Sequence, residues 1–219
     1  MAQGHGQGVG HVGRLGRLEQ IQFAADRMDV GGRIHRRANN AVGPQLHSPV
    51  MDVLCLGLSH KTAPVEVRER LAFPRAKLGE ATCQLLGVAP LFEAAILSTC
   101  NRVEIYGLAG NVADAGNAIR QFLHTHHKLT TAIDTHLYEH HDDTCIRHLL
   151  NVVSGLDSMV VGETEILGQV KEAYDSAQKA GATGMALNRL FQKSFAAAKH
   201  IRSTTAITRG STSVGNVAV

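Results

Sequence analysis

From Met51 onward the chain carries first a period-two and then a period-3.6 pattern of apolar positions. Asp52–Leu58 alternates and predicts a strand. Arg75–Leu86 has helical spacing and follows Pro74, which suits a helix start because the first N–H groups there lack intrahelical partners anyway. Ala94–Ser98 and Val103–Leu108 predict two short strands joined by Thr99-Cys100-Asn101-Arg102. Asp114–His126 predicts an amphipathic helix with Ala118, Ile119, Phe122 and Leu123 on one side, and Ile133–Glu139 a fourth, weaker strand. This β-α-β-β-α-β order predicts an α+β, ferredoxin-like split βαβ unit over residues 51–143, a four-stranded antiparallel sheet with two helices. After Thr144 the period becomes helical only. Cys145–Val153, Glu163–Ala180 (closed by Gly181) and Leu187–Ile201 predict three helices. Their apolar stripes need partners in each other and in the sheet, so residues 144–210 are expected to form a helical subdomain packed on it.

Residues 1–50 differ in kind. They hold six Arg, no Lys, three acids and nine Gly, without a sustained apolar period or a signal-peptide layout. The formal charge of +3 therefore sits in this segment, and residues 51–219 are balanced at 16 basic and 16 acidic side chains. It reads either as a flexible extension or as a start assigned too far upstream of Met51. Gly8-Val9-Gly10-His11-Val12-Gly13 matches G-x-G-x-x-G but lacks the strand that a dinucleotide turn requires before it. No apolar run approaches the roughly 20 residues that span a bilayer, which points to a soluble, cytoplasmic protein. Cys55, Cys83, Cys100 and Cys145 form no CxxC pair, which favours a reducing compartment.

Three clusters carry candidate chemistry. Cys100 lies in a turn beside Thr99 and Asn101, with Arg102 two residues on; a cation nearby favours thiolate, and an exposed thiolate attacks acyl carbonyls. The alternative is a small buried cysteine. Arg102 is either a bidentate carboxylate partner or a solvated strand residue. The other three cysteines fall in apolar patterns and read as structural. His124, His126, His127, His136, His140, His141 and His148 crowd near Cys145, but no zinc-ligand spacing recurs, so no metal site is expected. His148 lies inside an apolar helix, as a core histidine or a buried acid/base. The third cluster, Ser154–Lys171, surrounds small polar groups with loop-to-helix glycines; it suits simple capping or the orientation of a ligand's ammonium or carboxyl group.

GLSHKTAPVEVRERLAF (57–73), LSTCNRVEIYG (97–107), RHLLNVVSGLDSMVVGETEILGQVK (147–171) and NRLFQKSFAAAKHIRSTTAI resemble glutamyl-tRNA reductase, from Met51 to the C-terminus. The resemblance implies reduction of glutamyl-tRNA(Glu) by NADPH to glutamate-1-semialdehyde, the first committed step of five-carbon tetrapyrrole synthesis. It makes Cys100 the nucleophile and His148 a residue needed for activity. It assigns substrate contacts to Thr99, Asn101, Arg102, Ser158, Glu163, Thr164, Glu165 and Gln169. Where many members carry Glu-Pro-Gln, this chain has Glu163-Thr164-Glu165, which leaves the contacts at 164 and 165 the weaker assignments. The implied partners are glutamyl-tRNA(Glu) and the next enzyme, glutamate-1-semialdehyde aminomutase; the implied assembly is a homodimer. The NADPH-binding and dimerisation domains have no counterpart in these 219 residues, and 211–219 reads as a truncated link. A fragment that forms the thioester but completes no reduction is expected. Two other classes fit parts of the pattern: a non-enzymatic ferredoxin-like binding module, and a tRNA-binding protein using the basic leader as an arm.

Overall fold

The structure is a computed structural model that describes residues 51–205. The expectations for the leader, its glycine pattern and the link at 211–219 lie outside the described residues. Strands β1 (Asp52–Ser59), β2 (Glu93–Ser98), β3 (Arg102–Ala109) and β4 (Tyr138–His141) form one sheet in the order β2-β3-β1-β4. All three pairings are antiparallel, as the split βαβ order predicts. The helices are α1 (Val65–Leu71), α2 (Leu78–Val88), α3 (Val112–His126), α4 (Asp142–Val153), α5 (Glu165–Lys179) and α6 (Met185–Thr204).

The sheet is buried on both faces, and the strand alternation divides its residues between two cores. Leu54, Leu56, Leu58, Ile96, Val103 and Ile105 meet Leu85, Ile119 and Phe122 of α2 and α3. Cys55, Ala95, Leu97 and Tyr106 meet Leu149, Val170, Leu187 and Phe191 of α4, α5 and α6. Each fully buried aliphatic side chain contributes about 1.5–3 kcal/mol. No linker separates sheet from helices on the second face: β4 ends at His141 and α4 begins at Asp142, whose φ of 44° turns the chain sharply.

Three local expectations change. α1 is unforeseen because only Leu71 of its seven residues is buried, which leaves no apolar stripe to detect. The fourth strand starts at Tyr138 rather than Ile133. Ile133 enters the core ahead of a 3-10 turn at Asp134–His136, and β4 itself is a polar edge strand paired only with β1. Cys83 is exposed rather than structural, because the buried stripe of α2 runs through Leu78, Ala81, Thr82 and Leu85 and Cys83 falls off it.

Two contacts fix outer parts of this frame and predict measurable effects. Glu93 of β2 is buried against the start of α6, where its two carboxylate oxygens accept from Ala186 N (3.1 Å) and Leu187 N (2.7 Å). A strand residue thus caps a distant helix. The cap residue itself is Gly184, where a Cβ would lie 2.7 Å from the carboxylate. Glu93→Ala is expected to cost about 1–2 kcal/mol in denaturant unfolding; an unchanged midpoint would remove the capping role. On the opposite face, His127 stands edge-on to Phe73 at 4.5 Å, with its Nε2 buried and without a hydrogen-bond partner among the described residues. Burial, then the neighbouring His126, pushes its pKa from 6.5 down to about 4. The unfolded chain therefore takes up this proton more readily than the folded one. The stability linked to it is complete above about pH 6.5 and is lost as pH falls toward 4. His127→Phe is expected to flatten the fall in melting temperature across that window.

Candidate active site

Cys100 is exposed at the tip of the β2–β3 turn, and the turn is held from two sides. Within it, Thr99 Oγ1 accepts from Asn101 N and Arg102 N, both at 3.1 Å, and Thr99 N donates to Arg102 O at 2.8 Å. A hydroxyl that bonds its own backbone two and three residues on is the chemistry of a tight polar turn. From outside, His60 N donates to Asn101 O at 2.8 Å. Arg68 of α1 donates to the Cys100 carbonyl and to Asn101 Oδ1 (3.1 Å). The His60 pKa is lowered by burial and then by Arg102, so this imidazole beside the turn is neutral at pH 7.

A cavity of about 130 Å³ opens beside Cys100, lined by Thr99, Asn101, Arg102 and, from the other subdomain, Ser158, Glu163, Glu165, Ile166 and Gln169. The far wall comes from the loop between α4 and α5 and the first turns of α5. Gly155 (φ 75°) and Gly162 (φ 88°) bring that loop back on itself, with Gly162 N donating to Gly155 O at 2.8 Å. A Cβ on Gly155 would lie 2.8 Å from Glu163 O. Ser158 is buried, and its Oγ has no partner among the described residues. α5 begins at Glu165 rather than 163, so Glu163 belongs to the loop while Glu165, Ile166 and Gln169 share one helix face. Thr164 is the helix cap, exposed and outside the cavity lining.

Arg102 is 1% exposed, which removes its reading as a solvated strand residue. Its guanidinium joins the two walls. Nη1 donates to Glu104 Oε1 at 2.8 Å, and Nη2 donates to Asp157 O at 2.7 Å and Asp157 Oδ2 at 3.1 Å. Asp157 also accepts from Lys61. The guanidinium is thus anchored by Glu104 and by the side chain and backbone carbonyl of Asp157, while Arg102 still lines the cavity.

Glu104, fully buried, is the hub beneath the site. It accepts from Arg102, from His148 Nε2 (2.8 Å), from Tyr106 Oη (2.7 Å) and from Tyr138 Oη. Burial alone would raise its pKa, but Arg102 and then His148 override it and hold the carboxyl far below the usual range. Burial, reinforced by the Glu104 charge, raises the pKa values of Tyr138 and Cys145. Gly57 faces Glu104 in one strand pairing and Tyr138 in the other, so the two side chains meet above a residue without one. A Cβ on Gly57 would lie 2.3 Å from Val103 O and 2.9 Å from Glu104 Cγ.

Cys100, Thr99, Asn101, Arg102, Ser158, Glu163, Glu165 and Gln169 therefore converge. His148 does not reach the cavity lining and connects to it through Glu104 and Arg102. Lys61, Arg68, Glu104, Asp157 and Tyr138 were not singled out from the sequence. Glu104 had a detectable signal: an acid two residues after an arginine on a strand shares its face. Asp157 and Arg68 had none, because their partners are 55 and 32 residues away. The crowded histidines divide among separate contacts: His136 bonds Thr62 O, His141 bonds Glu139, His140 lies tilted against Tyr138 and His148, and His126 meets His127 edge-on. Cys55, Glu104 and His148 do place three ligand-type atoms within 4.8 Å of one another, but Arg102 already brings a positive charge to the same Glu104 oxygen.

The family model described as Glutamyl-tRNAGlu reductase, N-terminal domain, matches residues 56–205. The glutamyl-tRNA reductase of Syntrophotalea carbinolica is 46% identical over 170 residues, covering 77% of this chain and 38% of that protein. That of Stutzerimonas stutzeri is 48% identical over 170 residues, covering 77% of this chain and 40% of that protein. The solved glutamyl-tRNA reductase from Methanopyrus kandleri superposes with a TM-score of 0.60 at 32% identity, covering 76% of this chain and 38% of that one. The chain thus spans about two fifths of the length of these relatives.

Proposed function

The chain belongs to the family of glutamyl-tRNA reductase N-terminal domains, and on that premise we propose that it performs the acyl-transfer half of glutamyl-tRNA reduction. What supports this reading is one observation: motif residues 58 or more positions from Cys100 close around it to form the cavity. The Cys100 sulfur attacks the glutamyl carbonyl carbon. The bond from that carbon to the ribose oxygen breaks, a thioester forms, and the proton lost by the thiol is replaced on the ribose hydroxyl of the freed tRNA. An ester is activated enough for this exchange, and the thioester is the better hydride acceptor.

The remaining groups orient the amino acid. Glu163 and Glu165 meet the α-ammonium group; Arg102, with the amides of Asn101 and Gln169, meets the side-chain carboxylate; the free Ser158 hydroxyl and Thr99 complete the contacts. Thr164 acts only by starting α5. His148 is a positioning residue that works through Glu104. NADPH supplies the hydride in the next step. Among the described residues the sheet is antiparallel throughout, and no strand passes through a G-x-G-x-x-G turn into a helix. Residues 51–205 therefore do not fit a dinucleotide, and reduction to glutamate-1-semialdehyde draws on groups other than theirs. The proposed setting is the first committed step of tetrapyrrole synthesis, with the aminomutase that consumes the aldehyde as partner. No helix among the described residues is long and apolar enough to cross a membrane.

The test is peptide-level mass spectrometry after incubation with glutamyl-tRNA. A glutamyl adduct on Cys100 and not on Cys83, the other exposed thiol, is the expected result. No adduct, or equal labelling of both, overturns the reading.

A further inference from the structure

A second concavity lies between α5 and α6, about 590 Å³ in volume. Its polar lining is basic: Lys171 from α5, and Lys199, Arg202 and Ser203 from α6. None of the three cations stands at ion-pair distance from an acid among the described residues. Phe195 forms the floor, half-buried, with Lys171 Nζ 5.8 Å from its ring centre. Residues 51–219 are charge-balanced as a whole, so this is a local surplus on a neutral body. It also outweighs the half negative charge expected at the carbonyl end of α6.

The groove joins the active site. Arg202 Nη2 donates to Glu163 O at 3.1 Å, while its Nε is buried and has no partner among the described residues. Glu163 also lines the Cys100 cavity. The two concavities thus meet across the Arg202–Glu163 hydrogen bond. We propose that this groove binds the single-stranded 3′ end of the tRNA whose terminal ribose carries the glutamyl ester. The inference rests on the acyl-transfer reading, since a glutamyl group in the cavity obliges the preceding nucleotides to leave over a neighbouring wall. Three cations spaced along a groove suit successive phosphates, and an accessible aromatic face suits a base of any sequence. An acidic protein segment would use the cations but not the ring.

The test uses the full chain and two variants, Lys171→Ala/Lys199→Ala and Phe195→Leu. Binding of a short single-stranded RNA ending in CCA is measured across a salt series. The double variant is expected to bind about tenfold more weakly, and its log K against log salt slope to flatten by about 1.4, that is 0.7 for each phosphate no longer neutralised. Phe195→Leu is expected to lose at least about fivefold with no change of slope. In both variants, transfer from a small glutamyl ester, which has no phosphates, stays at the parent rate, while transfer from glutamyl-tRNA requires about tenfold more substrate. Parent-like RNA affinity and slope in the double variant overturn the proposal. So does full competition by an acidic peptide together with an indifferent Phe195→Leu. Failure of the small ester to acylate the parent protein would instead overturn the acyl-transfer reading.

Discussion

Cys100→Ser is expected to abolish glutamyl transfer, slowing adduct formation by at least about a thousandfold, while the melting temperature stays within about one degree of the parent. The substitution exchanges sulfur for oxygen at an exposed turn tip whose geometry is set by its neighbours. Thr99 Oγ1 holds the Asn101 and Arg102 amides, and Arg68 and His60 hold the backbone carbonyls of residues 100 and 101. None of these contacts uses the Cys100 side chain, so the fold has no reason to respond. The chemistry does, because a serine hydroxyl is far less acidic and the cavity lining places no dedicated base on it. Intact-mass analysis after mixing with glutamyl-tRNA reads the first effect and thermal unfolding the second. A serine variant that acylates at a near-parent rate would eliminate the Cys100 sulfur as the nucleophile, and a large loss of stability would show that the turn depends on the thiol.

Removing the carboxylate under the site should have the largest effect on stability. Glu104→Ala is expected to cost about 3–5 kcal/mol, a large share of the 5–15 kcal/mol that holds a typical domain together. The cost arises from what is left behind. Arg102, buried in the joint between sheet and loop, keeps its charge but loses its closest counterion, and His148, Tyr106 and Tyr138 lose their common acceptor. Asp157 alone then faces the guanidinium, and it is shared with Lys61. The double replacement Arg102→Met/Glu104→Ala, compared with Arg102→Met and Glu104→Ala alone, removes the uncompensated charge. It is expected to lose less than the sum of the two single variants by about 1–3 kcal/mol, yet to remain inactive in acyl transfer. Urea unfolding of the four proteins completes the cycle. Additive losses would mean that the two side chains stabilise the fold independently. A neutral Glu104→Ala would remove the hub from any account of the site.

How much of this was legible in the chain depends on whether the controlling contact is local. The alternation in β1 and β3 and the stripes of α5 and α6 are visible because each repeats a local geometry, and the turn holding Cys100 is bounded by two such strands. α1 and the polar edge strand β4 escaped because neither presents a regular apolar row. Cys100 and most residues of the cavity beside it were singled out from the chemistry of their motifs and the family resemblance. Their supports were not. Arg102 read more readily as a solvated strand residue than as a carboxylate partner, because the side chains that decide between the two stand on a loop 55 residues downstream and two positions along the same strand.

The sequence by itself therefore determined the order of elements, the two-sided character of the sheet and which cysteine stands in the turn between two strands, since periodicity and residue chemistry are properties of neighbours along the chain. Only the tertiary structure decided that Arg102 is anchored by Glu104 and Asp157, that His148 stands behind the site rather than in it, and that a basic groove adjoins the cavity. Buried charges are set by whichever distant groups desolvate and pair with them, and that choice exists only once the sheet and the helices have closed on each other.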